Sequence, residues 1–562
     1  MCIAHLLSEE AAENPAVPLA LRKQHLRTLQ FVCYHNALIT CKGRARKCSP
    51  DIGTSLQAAE HPALLLRYVL VQGRRREKLA NSPSVGLEWR GVRRYHPDRL
   101  CRSGLLLKSE SVEVFAMDKA SNRELSCTRR EMLRTLGGVS AAVAFPAIIP
   151  SSVFGGSAPS NRITVGMVGM GRQAKYANLK PFLFSDDAQV VAVCDVDKWR
   201  LDNAKSEVDK HYENNACLAT TDWREVVGRD DIDAIMNSTP DHWHVPISVA
   251  AARQGKHVSC EKPLTLSIAE GRVLADAVKK HGVTFRTDSE CRTDSYMHRI
   301  SELVRNGYVG AIKRIEVGVP TGDAAGGKAT PMPVPEELDY DMWTGPAPAK
   351  PYTLDRVHPR QAYSRPGWMR CRDTCEGMVT NWGTHTLDVT QLIHNSERTG
   401  PVSVEGQGEY PAPGSGLWGV LLNFQVQYRY ADGVVVDYHT AKGAFIRVEG
   451  EDGWIHAPWL GGQMTASDPA ILRIKLKDSD LHLPQRQDKE DFLYGIKNHA
   501  TTMADAEVGH RTCSMCQIAH IAIQRGRKLQ WDPGRERFAD DEAANRMLHR
   551  AYRAPWDLNI TV

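Results

Sequence analysis

The chain of 562 residues has no uninterrupted apolar run of about 18 residues, so the sequence predicts no ordinary transmembrane helix. Gly (43) and Pro (30) are too few, and too evenly spread, for a collagen or a low-complexity polymer. Charge of one sign is also scarce: 71 basic against 66 acidic residues leave only +5. Even that small excess is local. Residues 1–116 carry 18 basic and 10 acidic residues, and residues 117–160 carry 5 and 3. Residues 161–562 hold 48 and 53, a net of −5. A body of that sign has no global attraction for phosphate polymers, which argues against a nucleic-acid partner.

What is present divides the chain. Residues 1–116 contain Arg74-Arg75-Arg76 and five scattered cysteines but no sustained helical or strand period, and read as a disordered or mis-called extension. Met117 opens a different segment. Thr128-Arg129-Arg130-Glu131-Met132-Leu133 precedes a short apolar stretch from Leu136 to Ile149, followed by small residues and prolines. This is the layout of a secretory leader, and its two arginines resemble the twin-arginine signal. Residues 117–160 are therefore predicted to be a leader and linker, with cleavage near Ala158. A signal acts near a chain start, so translation from about Met117 is expected, with passage through the twin-arginine (Tat) export machinery to the periplasm.

From Ile163 apolar strands alternate with helical stretches, the pattern of an α/β fold with a parallel sheet. Ile163 to Val168 runs into Gly169-Met170-Gly171-Arg172-Gln173-Ala174, a G-x-G-x-x-A turn between a strand and a helix. The first glycine permits the tight turn, the second a close approach to a pyrophosphate, and the small third residue close packing of helix on strand. Asp195 closes the next strand, where a carboxylate can hold ribose hydroxyls. It favours NAD, while nearby Lys198 and Arg200 leave NADP open. Thr239 and His244 follow the Ile232 to Ser238 strand, and Glu261-Lys262-Pro263 ends the His257 to Cys260 strand. The candidate cofactor-binding set is thus Gly169, Gly171, Arg172, Gln173, Ala174, Asp195, Thr239, His244, Glu261 and Lys262.

Gly169-Met170-Gly171, Asp195, His242-Trp243-His244 and Glu261-Lys262-Pro263, in this order, resemble the Gfo/Idh/MocA oxidoreductases. Asn381-Trp382-Gly383-Thr384-His385-Thr386-Leu387-Asp388 is similar to that family's D-x-x-x-H-x-x-D element, with asparagine at its first position. The resemblance covers roughly residues 161–562. It implies a Rossmann NAD(P)-binding domain over 161–287. It also implies a substrate-binding α/β domain over 288–562, with a large, mostly antiparallel sheet that carries a homo-oligomer interface. The strand-like stretches Ile312 to Val319, Val420 to Tyr430 and Val434 to Thr440, and the helical Glu507 to Ile523, agree.

The candidate catalytic residues are Lys262, Asn381, His385 and Asp388. On a helix, offsets of four and three put the last three on one face. His385 would be the general base on a substrate hydroxyl, with Lys262 stabilising the developing alkoxide. Asn381 and Asp388 would fix the imidazole or hold sugar hydroxyls, although asparagine cannot take a proton. Tyr352, His358, Trp368 and Arg370 lie in loops placed to cover a pocket. The expected function is hydride transfer between a sugar or polyol hydroxyl and a tightly bound nicotinamide nucleotide. One alternative is a glycoside hydrolase that works by oxidation, elimination, hydration and reduction; another is a non-catalytic sugar-binding Rossmann protein. The sequence shows no clear pair of carboxylates for direct glycoside hydrolysis. Cys371/Cys375 and Cys513/Cys516 lack the two-pair spacing of a zinc ribbon, so no metal is expected, while export would allow a Cys371–Cys375 disulfide.

Overall fold

The computed structural model describes residues 161–321 and 324–558. The readings on the extension and the leader lie outside the described residues.

Six short strands build the first sheet: β1 (Ile163–Val168), β2 (Ala188–Cys194), β3 (Leu218–Thr220), β4 (Ala234–Asn237), β5 (His257–Glu261) and β6 (Phe285–Asp288). All are parallel, in the order β3-β2-β1-β4-β5-β6. The order reverses beside β1, so a crevice opens at the strand C-termini between β1 and β4. Local chemistry sets the helix boundaries. Asp197 caps the helix Lys198–Tyr212 by accepting from Arg200 N–H. Ser267 and Glu270 form a reciprocal capping box on Ile268–His281, which ends at Gly282 in the left-handed region. The helix after the glycine turn begins irregularly, with a π-helical stretch Ala174–Asn178 before Leu179–Leu183.

The second sheet has nine strands: β7 (Ile312–Pro320), β8 (Ser403–Glu409), β9 (Asn423–Arg429), β10 (Val435–Ala441), β11 (Ala444–Gly450), β12 (Trp454–Trp459), β13 (Thr465–Ala466), β14 (Leu529–Asp532) and β15 (Arg537–Phe538). They run in the order β13-β12-β11-β7-β10-β9-β8-β14-β15. Only the β7–β10 pair is parallel. Ala431-Asp432-Gly433 is the β9–β10 turn, with Gly433 at φ +94°. Burial alternates along β9 and β12, as it does when one sheet face is covered. The helices Ser295–Arg305, Gly383–His394 and Ala506–Arg525 supply Ile300, Leu387 and Ile518 to the same core as Val317, Val436 and Ile446.

The late helix Asp488–Asn498 returns to the first sheet. Its Phe492 and Leu493 belong to the core formed by Val165, Met167 and Met236. Arg286 on β6, with no exposed surface, pairs with Asp488 and with Asp491 (3.0 Å). Lys489 pairs with Asp288. Residues far apart in the chain therefore close one hydrophobic core and one buried ionic cluster.

Candidate active site

Gly169 sits at φ +83°, and its N–H donates to Cys194 O (2.9 Å). A Cβ there would lie 2.7 Å from Thr239 N and 2.8 Å from Ser238 O. At Gly171 a Cβ would meet no protein atom within 4 Å, although the residue lines the crevice. One glycine is thus required by the protein's own backbone, and the other leaves room for something else. Ala174 is fully buried where the turn meets the sheet.

Asp195 lines the same crevice, with Oδ2 accepting from Met170 N–H (2.7 Å) and Oδ1 from Asp197 N–H (2.8 Å). Burial raises its pKa, opposed by Arg200. The two cations that kept NADP open are both engaged. Lys198 pairs with Asp202 (2.9 Å) on the surface. Arg200 is buried, 3.7 Å from Asp197, and donates to Pro359 O (3.2 Å) and Ala362 O (2.8 Å). An open Gly171, a carboxylate at the end of β2 and a crevice at the strand C-termini fit a dinucleotide.

The loop that supplies Pro359 and Ala362 closes this end of the crevice. His358 Nε2 lies 2.9 Å from Asp197 Oδ2. The Tyr363 ring packs on Arg200 (5.1 Å) and Trp199 (5.1 Å). Trp368 also lines the crevice. Tyr352 instead lies in a small core with Leu338, Trp343 and Val357, and Arg370 stacks on Trp418 (4.8 Å), so neither faces the crevice.

At the opposite end Lys262 Nζ lies 3.4 Å from both Asn381 O and Asn381 Oδ1. Glu261 Oε2 accepts from Lys262 N–H (3.2 Å), and Oε1 accepts from Asn178 Nδ2 (3.0 Å). His244 is fixed between two carbonyls, with Nδ1 at 2.7 Å from Pro263 O and Nε2 at 2.9 Å from Thr239 O. Burial pushes its pKa down to about 4, against the pull of the two carbonyls. His242 contacts Trp343 O (2.9 Å) away from the crevice, a structural role. Gln173 Nε2 donates to Glu290 Oε1 (3.3 Å).

His385 is buried, with its ring 4.7 Å from that of Trp459 and 6.2 Å from that of Trp382. Its Nδ1 has no hydrogen-bond partner among the described residues. Burial, then the Lys262 cation, push its pKa well down. Asp388 does not reach this ring, which corrects the expectation that it fixes the imidazole or holds a sugar hydroxyl. Its carboxylate takes two bonds from Arg292, Nε at 2.6 Å and Nη2 at 2.8 Å, and a third from Thr512 Oγ1 at 3.2 Å. Trp382, between the helices Met378–Asn381 and Gly383–His394, keeps helical dihedrals (φ −94°, ψ −30°), so the helical spacing of the three positions is kept and it is the pairing with Arg292 that takes Asp388 away from the imidazole. Lys262, Asn381 and His385 come together; Asp388 does not join them.

Sequence reasoning missed two carboxyls. Asp241 lines the crevice, is 2% exposed, and is raised by burial to about 7. Glu290 follows β6, at a strand C-terminus of the kind that singled out Lys262, and the same rule would have found it. The eight cysteines of the described residues are buried and form no disulfide, Cys371 and Cys375 among them, so the disulfide open to an exported chain is not formed. Among the described residues no three His, Cys, Asp or Glu side chains gather as metal ligands would, and no helix is long and apolar enough to cross a membrane.

Residues 163–289 match the family model described as "Oxidoreductase family, NAD-binding Rossmann fold". Residues 294–558 match "Oxidoreductase family, C-terminal alpha/beta domain". The chain is 28% identical over 186 residues to the uncharacterized oxidoreductase YrbE of Bacillus subtilis, covering 33% of this chain and 49% of that protein. It is 28% identical over 170 residues to an alpha-N-acetylgalactosaminidase of Shewanella oneidensis, covering 27% of this chain and 37% of that one. The match therefore spans half or less of these curated relatives. A WlbA dehydrogenase from Chromobacterium violaceum, solved with NADH and UDP-GlcNAcA, shares the fold at TM-score 0.50 and 17% identity, over 66% of this chain and 96% of that one.

Proposed function

Because the chain belongs to the Gfo/Idh/MocA oxidoreductase family, we propose that it oxidises a secondary hydroxyl of a sugar or polyol with a bound nicotinamide nucleotide. The observation that carries this reading is Lys262 within 3.4 Å of Asn381, beside buried His385, at the end of the crevice opposite Asp195. Gly171, Arg172 and Gln173 would face the pyrophosphate and Asp195 the ribose, and the nucleotide, when bound, supplies the hydride acceptor. Lys262 would meet the substrate oxygen and stabilise its negative charge as the carbonyl forms. Asn381 Oδ1 positions the ammonium group. His385, held neutral, accepts the hydroxyl hydrogen bond. The engagement of buried Arg200 by Pro359 O and Ala362 O favours NAD over NADP, although Lys198 stands exposed beside Asp202.

A second reading is favoured by the relatives named glycosyl hydrolase family 109, which match 27% of this chain. In it the same oxidation opens an elimination of the aglycone, followed by hydration and reduction. One experiment separates the readings. The purified protein is mixed with candidate sugars and glycosides while absorbance near 340 nm (roughly the reduced nicotinamide band) and aglycone release are followed. Persistent reduction supports the oxidoreductase, and aglycone release without net reduction supports the hydrolase. No nucleotide binding and no response would leave the non-catalytic reading.

We also propose export of the folded protein through the Arg129-Arg130 segment. A reporter fused after residue 160 and recovered in the periplasm would support it, and peptides from residues 1–100 in the native protein would refute it. The partly exposed face of the nine-stranded sheet, which carries Arg314, Glu316, His439 and Phe445, is proposed as the homo-oligomer surface, testable by analytical ultracentrifugation.

A further inference from the structure

Lys262 can meet a substrate oxygen only if its strand end is held still. The side chain is a flexible stem, and its two contacts with Asn381 are both 3.4 Å, at the long limit of a hydrogen bond. The firmer hold is on the backbone. Lys262 N–H donates to Oε2 of Glu261, the residue before it, at 3.2 Å. That oxygen is a fixed acceptor only if the rest of the carboxylate is held as well. Glu261 is 4% exposed, so little water reaches it. Lys489, in the ionic cluster beside it, is paired with Asp288.

Asn178 supplies the hold. It ends the π-helical stretch Ala174–Asn178 that follows the nucleotide turn, and it has no exposed surface. Such π-helical insertions are rare and frequently stand at functional sites. The two hydrogens of its amide go to two elements. Nδ2 donates to Ser238 Oγ (2.9 Å), just past β4, and to Glu261 Oε1 (3.0 Å), at the end of β5. Turning the amide over would set its carbonyl oxygen against a carboxylate, so the orientation is fixed. As it stands, Asn178 Oδ1 has no hydrogen-bond partner among the described residues. A buried acceptor left empty costs stability and calls for a reason. The pair of donations is that reason: they join the helix of the nucleotide turn to two strand ends through one side chain. Burial and Asp288 push the Glu261 carboxyl up, while Lys489, Lys262 and the Asn178 bond oppose them.

We propose that Asn178 is a positioning residue for Lys262: it holds Glu261, and Glu261 holds the strand end from which the ammonium group reaches the substrate oxygen. Asn178 does not line the crevice. Its effect passes through Lys262, and therefore falls on the stabilisation of the alkoxide and not on nucleotide binding.

This inference rests on the oxidoreductase chemistry proposed above, and its failure is separable from the failure of that reading. Asn178→Leu removes both donations at nearly constant volume. Its kcat should fall by roughly a hundredfold, the cost of misplacing a group by about 1 Å. KM and nucleotide affinity should keep their wild-type values, because the lost interaction acts in the transition state. Asn178→Asp and Glu261→Gln each leave two acceptors or two donors face to face. The double variant Asn178→Asp/Glu261→Gln restores both contacts with the roles exchanged, since the new amide donates to the new carboxylate while its oxygen accepts from Lys262 N–H. Its kcat should stand at least about tenfold above either single variant. In a Lys262→Ala background Asn178→Leu should cost nothing further, because no ammonium group is left to position.

A second readout needs no turnover. Cofactor-free protein is pulsed with acetic anhydride and its lysines are mapped by mass spectrometry. Lys262 should be acetylated severalfold faster in Asn178→Leu than in the wild type, with exposed Lys198 and Lys313 unchanged, and the double variant should restore the slow rate. Should Asn178→Leu fail to fold, Glu261→Gln and the double variant carry the test. Wild-type kcat in Asn178→Leu, a double variant no faster than its parents, or an equal loss in the Lys262→Ala background each overturns the role. A wild-type protein silent to every sugar overturns the oxidoreductase reading instead, and the acetylation rates then still decide whether Asn178 holds Lys262.

Discussion

The two glycines of the nucleotide turn make opposite predictions. Gly169→Ala places a methyl group 2.7 Å from Thr239 N and 2.8 Å from Ser238 O, at φ +83°. The left-handed conformation costs an L-residue about 1–2 kcal/mol, and backbone crowding of this kind adds roughly 1–3 kcal/mol. The total is about 2–5 kcal/mol in the absence of any ligand. In a unit of this size each kcal/mol moves Tm by roughly 2 °C, so a fall of about 4–10 °C is expected. Gly171→Val meets no protein atom within 4 Å of its Cβ, and Gly171 is not in the left-handed region. Its ligand-free stability should match the wild type within about 0.5 kcal/mol. NAD at about a hundredfold above its Kd should stabilise the wild type by about 2.7 kcal/mol; the valine variant should gain nothing. Calorimetric scans of the three proteins with and without NAD decide the matter. Equal NAD stabilisation of Gly171→Val would show that the turn does not hold the dinucleotide. An unchanged Tm for Gly169→Ala would refute the crowding argument.

Lys262→Ala should lower kcat by roughly a hundredfold or more with little change in nucleotide affinity, as measured by steady-state kinetics and a binding titration; near-normal turnover would remove it from the chemistry. Arg292→Leu leaves Asp388 and Glu397 without their cation and should cost about 3–5 kcal/mol in urea unfolding. Peptide mapping after a short pulse of thiol reagent should find the eight cysteines between Cys194 and Cys516 unmodified in the native protein and modified in urea, because burial both covers these thiols and raises those of Cys194, Cys260 and Cys516.

The glycine turn, the strand-end Asp195 and the Glu-Lys-Pro segment could be read in the sequence because each obeys a local rule of spacing at a strand end. The nine-stranded sheet was legible only in part. β7, β9 and β10 alternate or run apolar, whereas β8 (Ser403–Glu409) is polar over most of its length and takes its place through pairing with β9 and β14. Asp388 was misread because its spacing from His385 says nothing about Arg292, 96 residues earlier in the chain. Tyr363 escaped for the same reason, although its loop neighbours His358 and Trp368 were named, since its partner Arg200 lies on a helix of the first sheet. Periodicity carries information along an element. Ion pairs between elements leave no such trace.

The returning helix Asp488–Asn498 also bears on how the chain is made. The first sheet ends at Asp288, yet Phe492 and Leu493 fill its core and Asp488 and Asp491 neutralise Arg286. A nascent chain that has emerged only as far as β6 carries a buried-type arginine without its carboxylates and an apolar face without its cover. Domains usually complete themselves in order of synthesis, but here some two hundred further residues must appear before the nucleotide half can close. Folding is thereby tied to a contact of very long sequence separation, which slows it. A fragment stopped before residue 488 is expected to be aggregation-prone, whereas one carried past residue 498 has the pieces that the first sheet needs.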